Sequence, residues 1–179
     1  GNGVTLTVAL IAMRASVSIG LNGLIAETRV PPGQQDVIVA RTVGGMISYT
    51  RWPEPRPVVR LCVSGATAHA RGFGRIGQSG GRQVVTQIVA PGGVTRGCDV
   101  LYFGALAHAD RQRMLRSIRD LPVLSIAETD PACRGGTIFC LRILPDRVGF
   151  QMSIDAVSRS AVRIDPRVLR IALPEGGAS

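Results

Sequence analysis

Cysteine chemistry is the first chemistry that this sequence offers. Cys133 and Cys140 have six residues between them and flank Gly135 and Gly136, and an apolar run then passes through Pro145-Asp146 into VGFQMSIDA. This pattern predicts a β-hairpin with a crosslink at its base, followed by a short helix. No nucleophile in the stretch stands beside a base, so we expect a sensing or binding surface.

The other two cysteines lie in apolar runs, Cys62 in VVRLCVSG and Cys98 in CDVLYFG. Four cysteines allow three pairings if all are oxidised, and the alternative is a buried thiol that packs as a small hydrophobe, above all at Cys62. None belongs to a CxxC pair, and His69 and His108 lie far from any ligand-like spacing. We therefore expect neither a metal nor another cofactor.

Motifs for nucleotide binding and catalysis are incomplete. GFGRIG places Gly72, Gly74 and Gly77 in a G-x-G-x-x-G pattern, but the pattern does not directly follow a strand, and the next strand ends without an acid. Ser64 lies in VSGA without the G-x-S-x-G elbow, and neither histidine has an acid placed by a motif. The sequence therefore favours a protein that is not an enzyme.

The net charge of +9 comes entirely from arginine, since all 21 basic residues are arginines. These arginines are scattered, and only 4% of residues are aromatic, which leaves few rings for base stacking. We expect no nucleic-acid partner and interpret the bias as codon composition. The one arginine stripe is interpreted as the solvated face of a helix and consists of Arg111, Arg113, Arg116 and Arg119.

Residues 1–30 are apolar but contain Arg14 near their middle, which makes them a poor membrane span. We expect either the remnant of an export signal whose apolar core ends at Leu24-Ile25-Ala26, or an N-terminal helix. Export would place the protein in an oxidising compartment, where disulfides form. The folded domain is expected over residues 31–179.

Alternating apolar strands and amphipathic helices predict one α/β domain. We expect a mixed, mostly parallel sheet flanked by helices, with the disulfide-clamped β-hairpin at one edge. The first helix should end at Trp52-Pro53, and a close helix contact would explain its Gly44-Gly45 pair. It should bury Val39, Val43, Met46 and Ile47, and the helix in ALAHADRQRMLRSIRDL should bury Ala107, Met114, Leu115, Ile118 and Leu121.

Seven motifs follow one another in a characteristic order: YTRWP, LCVSG, CDVLYFG, PVLSIAE, GGTI, VGFQMSIDA and VRIDPRVLRIA. Together with the four cysteines, they make the sequence resemble the YfiR family of small periplasmic proteins over residues 35–172. The resemblance implies two disulfides, Cys62 with Cys98 and Cys133 with Cys140. It also implies a repressor that binds the periplasmic domain of an inner-membrane diguanylate cyclase. Redox state or envelope stress relieves this repression, and some members form a homodimer.

The resemblance places the partner contact around Phe139, Gln151 and Val157, and the hairpin and following helix add Phe150 and Ile154. Where the family has a FEIN-like motif this chain has FQMS, so an amide at Gln151 replaces a charge. Packing within the hairpin and helix is the alternative role for Phe139, Phe150 and Val157.

The alternative function is a small-molecule-binding sensor domain of the periplasm. An aromatic or amphipathic ligand would then bind near Trp52 and the carboxyl ends of the strands.

Overall fold

The computed structural model describes residues 5–6, 9–10, 13–14, 16–20 and 23–172. Its strands are β1 (Thr5–Leu6), β2 (Ala9–Leu10), β3 (Met13–Arg14), β4 (Ser16–Gly20), β5 (Gly23–Arg29), β6 (Thr50–Arg51), β7 (Val58–Ser64), β8 (Gln78–Ser79), β9 (Arg82–Ile88), β10 (Val100–Phe103), β11 (Leu124–Ala127), β12 (Phe139–Leu144), β13 (Arg147–Met152) and β14 (Arg163–Ile164). Its helices are α1 (Gln35–Ser48), α2 (His108–Ser117) and α3 (Ile154–Ser158), with 3₁₀ turns at Phe73–Arg75 and Pro166–Ala172.

One sheet of ten strands joins most of these elements, in the order β1-β4-β5-β13-β12-β11-β10-β7-β9-β8. The neighbours from β9 through β7, β10 and β11 to β12 pair in parallel. The strands outside this central part pair antiparallel. The predicted α/β domain with a mixed sheet and flanking helices is confirmed.

Each face of the parallel strands packs against a different helix. In β10, Tyr102 belongs to the core cluster that includes α1, whereas Leu101 and Phe103 belong to a second cluster that includes Met114 of α2. Successive residues of a strand point to opposite faces, so both sets are buried. For this reason β10 and β11 are apolar along nearly their whole length.

Helix α1 buries the four predicted residues, which are Val39, Val43, Met46 and Ile47. It ends at Ser48, before the Trp-Pro pair, because Thr50 and Arg51 form β6. A Cβ at Gly45 would lie 2.7 Å from Cδ1 of Ile171 in the C-terminal 3₁₀ turn. The predicted close contact at the glycine pair is thus confirmed, although it involves a 3₁₀ turn.

Helix α2 buries Met114 and, just after its end, Ile118, as predicted. Ala107 and Leu121 were also expected inside, but Ala107 is exposed and Leu121 is 48% exposed. The helical spacing extends to neither residue, because α2 begins at His108 and ends at Ser117.

The N-terminal region forms strands where it is described, including β4 and β5, and not the helix that was one alternative. Residues 1–4, 7–8, 11–12, 15, 21–22 and 173–179 lie outside the described part, and removal of a signal stays a prediction. Because β5 pairs with β13, the C-terminal hairpin lies at the edge of the parallel strands and not at the edge of the whole sheet.

Candidate functional site

The loop 133–140, called here the disulfide loop, leads into the hairpin formed by β12 and β13. Cys133 and Cys140 are bonded to each other, with their Cα atoms 5.6 Å apart. Asp130 accepts a hydrogen bond from the Gly135 amide at 2.7 Å, and the Gln112 side chain of α2 donates to the Gly135 carbonyl at 3.1 Å. The disulfide loop is therefore held at its ends and at its middle.

The hairpin has its crosslink at its base, as predicted. Its turn lies at Pro145-Asp146, between β12 and β13, and Cys140 is the second residue of β12. The disulfide closes the segment that enters β12 and does not join the two strands, since Cys140 pairs across the hairpin with Gln151.

Three of the five expected partner-facing residues are buried. Phe139 and Phe150 pack edge to face with ring centroids 5.5 Å apart, and Gln151 is 5% exposed. In this structure they form hairpin packing and do not present side chains to a partner. Sequence spacing could not show this, because β5 covers β13 from a region far away along the chain.

Helix α3 carries the other two expected residues. Ser153 caps its first turn by accepting a hydrogen bond from the Ala156 amide at 3.2 Å. Ile154 is 59% exposed and Val157 is half-buried. Residues three apart on a helix are neighbours, so these two form a small apolar surface.

The disulfide loop and α3 are directly connected. The Ser153 amide, at the N-cap of α3, donates to the carbonyl of Ile138 at 2.8 Å. Ile138 lies between the two bonded cysteines, so this hydrogen bond joins the disulfide loop to the start of α3.

The second disulfide joins Cys62 in β7 to Cys98, just before β10. Both residues belong to the core cluster on the α2 face of the sheet. Both disulfide pairings that the family resemblance implied are therefore present.

A buried hydrogen-bond network that the sequence analysis missed surrounds Glu128, the residue after β11. Its carboxylate accepts from the amides of Ala68 at 2.6 Å and His69 at 3.1 Å, and from the Tyr102 hydroxyl at 2.6 Å. Glu128 is 5% exposed. The available signal was a carboxylate immediately after the mostly apolar segment LSIA, since a buried carboxylate requires hydrogen-bond partners.

The parallel strands follow the order 2-1-3-4-5, so the switch point where such sheets often bind ligands lies between β7 and β10. Here Ala66 and Ala105 exchange backbone hydrogen bonds of 2.8 and 2.7 Å across that point. Gly65 has a φ of +88° and its Cβ would lie 2.7 Å from the Ala105 carbonyl oxygen. The two loops thus close the crevice, and glycine allows the approach.

The residues weighed for catalysis do not assemble. His69 Nδ1 lies 2.9 Å from Asp36 Oδ1, an acid that no motif had indicated, and this pair joins α1 to the loop after β7. Ser64 is buried on the opposite face, where its hydroxyl contacts the Met114 sulfur at 3.7 Å. Ser64 and His69 are therefore separated by the sheet.

Burial and hydrogen bonding to Glu128 raise the pKa of Tyr102 far above its ordinary value. Above pH 10 the unfolded chain ionises this phenol while the folded chain keeps it protonated. The free energy of unfolding should therefore fall by about 1.4 kcal/mol per pH unit above pH 10. Urea unfolding between pH 9 and about 11.5 measures this decline.

Because the chain has no lysine, no ammonium side chain obscures the contribution of Tyr102 in this range. Tyr102→Phe should flatten the decline. An equally steep decline in Tyr102→Phe would contradict the assignment.

Trp52, the predicted ligand contact, is largely buried beneath the Arg82 guanidinium, which lies 5.1 Å from its ring centroid. It borders a cavity of about 600 Å³ that Arg51 and Arg56 also line. Its indole N–H has no hydrogen-bond acceptor within the part of the chain that the structure describes. Ligand binding at this cavity stays a prediction.

Within the described ranges, no helix is long and apolar enough to cross a membrane. No group of three or more His, Cys, Asp or Glu side chains in those ranges is arranged to hold a metal ion.

A family model described as YfiR/HmsC-like matches residues 36–173. Among solved structures, the chain is similar to a ureidoglycine-glyoxylate aminotransferase from Bacillus subtilis, with 5% sequence identity and a TM-score of 0.42. That match covers 74% of this chain and 40% of the aminotransferase chain, and it is too distant to bear on function.

Proposed function

Because the chain belongs to the YfiR/HmsC-like family, whose members are regulatory and not catalytic, we propose that it represses a membrane-bound diguanylate cyclase from the periplasm. The observation that carries this proposal is the family match, which spans residues 36–173 and thus nearly all of the domain. The two disulfides support an oxidising compartment such as the periplasm.

The proposed contact with the cyclase is the exposed surface of α3, centred on Ile154 and bordered by Val157. An exposed apolar side chain beside a half-buried one suits the centre of a small protein interface. Phe139 and Phe150 belong to the same core cluster as Ala156 of α3, and Val157 packs against that cluster.

Redox state would act on this surface through the disulfide loop. Reduction of Cys133 and Cys140 frees the segment that holds Ile138, whose carbonyl accepts from the N-cap of α3. The position of α3 then becomes less fixed and repression weakens. This provides a physical route from periplasmic redox or envelope stress to cyclic-di-GMP production.

Ile154→Glu should weaken binding to the periplasmic domain of the cognate cyclase at least about tenfold, because it places a charge at the centre of the interface. Cys133→Ala with Cys140→Ala should also weaken it while the domain stays folded. Binding of purified proteins and cyclic-di-GMP levels in cells measure both effects.

Val94→Glu is the matched control, since Val94 is 78% exposed and lies in a loop before β10. It should bind and repress normally. Full repression by Ile154→Glu would exclude α3 as the contact, and full repression by the cysteine variant would exclude the redox switch.

A further inference from the structure

A groove between α2, the disulfide loop and α3, called here the arginine groove, is unusually basic. Its volume is about 280 Å³, near the lower end of small-molecule sites. Among the described residues that line it there is no carboxylate. The lining arginines are Arg116, Arg119, Arg134 and Arg159.

Most of this charge is not neutralised by the residues that the structure describes. Elsewhere on α2, Arg111 lies 3.9 Å from Asp130 and Arg113 lies 3.7 Å from Asp110. In the groove, Arg159 pairs with Asp155 at 2.8 Å. The guanidinium groups of the remaining three arginines form no ion pair with a carboxylate of the described ranges, so an anion would relieve their mutual repulsion.

The buried side chains of the arginine groove are mostly apolar. Besides the arginines, its polar side chains are Gln112, Ser125 and Ser160, and the Ser125 hydroxyl already accepts a hydrogen bond from the Ile138 amide at 2.9 Å. An apolar interior below a basic rim suits a molecule that has both an apolar body and an anionic group. The apolar lining residues are Leu115, Ile118, Val123, Ile138 and Ala156.

We propose that the arginine groove binds a small organic anion, a carboxylate or phosphate monoester with an apolar body. Arg116, Arg119 and Arg134 would contact the anionic group, since the planar guanidinium matches both carboxylate and phosphate geometry. The proposal does not depend on the cyclase, because it concerns a ligand of the protein alone.

The disulfide loop forms one wall of the arginine groove, through Arg134, Gly135 and Gly136. A Cβ at Gly136 would lie 3.3 Å from Cδ1 of Leu115, so this wall is pressed against α2. Gln112 fixes the same wall by its hydrogen bond to the Gly135 carbonyl. The bond between Cys133 and Cys140 therefore preorganises the anion site, and opening it lowers the affinity.

Titration calorimetry of the full chain with phenyl phosphate tests the proposal. We expect saturable binding with one ligand per chain, weaker binding of inorganic phosphate, and none of neutral benzamide. Arg116→Gln and Arg134→Gln should each weaken binding about tenfold, the value of a hydrogen bond to a charged group. Arg113→Gln makes the same charge change on α2 outside the groove and should leave the affinity within about twofold.

The proposal is overturned if phenyl phosphate does not bind at millimolar concentration, or if benzamide or inorganic phosphate binds as tightly. It is equally overturned if Arg113→Gln weakens binding as much as Arg116→Gln, since this would indicate attraction by net charge alone. Cys133→Ala with Cys140→Ala should lower the affinity severalfold. Unchanged affinity in that variant would refute the coupling to the disulfide loop.

Discussion

Loss of the Cys62–Cys98 disulfide should lower the free energy of unfolding by about 4 kcal/mol. The bond closes a segment whose ends are 36 residues apart, and in the chain-entropy model a loop of this length restricts the unfolded chain by that amount. The melting temperature should fall by about 8 to 16 °C for a protein of this size. Urea unfolding of Cys62→Ala with Cys98→Ala, followed by circular dichroism, measures the loss.

The other disulfide provides the matched comparison. Cys133 and Cys140 are only 7 residues apart, so their removal should cost about 2.5 kcal/mol on the same model. We interpret the Cys62–Cys98 bond as structural and the Cys133–Cys140 bond as regulatory. If the shorter loop proves to matter more for stability than the longer one, this division is wrong.

This division rests on the positions of the two bonds. Cys62 and Cys98 lie in the core cluster between the sheet and α2, where a bond holds neighbouring strands together. Cys133 and Cys140 hold a loop whose carbonyl at Ile138 binds the start of α3 and whose glycines line the arginine groove. On the proposals above, a reducing environment that opens the shorter loop would alter two surfaces while leaving the sheet intact.

Local patterns predicted the elements well. The apolar runs around Cys62, Leu101 and Ser125 became β7, β10 and β11, and the helical spacing from Val39 to Ile47 became α1. The spacing of α1 determines its buried side, and the near-continuous apolar runs of β10 and β11 indicate burial on both faces. The same logic failed at Leu121, where the helix had already ended.

Features that depend on distant pairing could not be predicted. Phe139 and Gln151 alternate as hairpin residues do, but Phe139 is buried beside β11, and Gln151 beside β5, which pairs with β13 from more than 100 residues away. The arginine stripe is exposed at Arg113, Arg116 and Arg119 as predicted, but spacing could not show that Arg116 and Arg119 border a groove whose other walls come from β11, the disulfide loop and α3. The order of strands in the sheet determines which of these elements are neighbours, and the spacing of residues along one element contains no information about that order.

The Glu128 network shows the same dependence and predicts the second large effect. Glu128→Ala should lower the free energy of unfolding by about 3 to 5 kcal/mol, because two backbone amides and the Tyr102 hydroxyl lose their acceptor in a buried site. These donors come from the loop after β7 and from β10, so the carboxylate joins three parallel strands at their carboxyl ends. Chemical unfolding in urea at pH 7 measures the change.

Two milder variants separate hydrogen bonding from packing. Glu128→Gln keeps one oxygen acceptor and nearly the same volume, so it should recover about half of the loss. Tyr102→Phe removes one donor and leaves the amides of Ala68 and His69 bonded, and it should cost about 1.5 to 2 kcal/mol. If Glu128→Ala costs no more than Tyr102→Phe, the two amides have found another acceptor and the carboxylate does not hold the strand ends together.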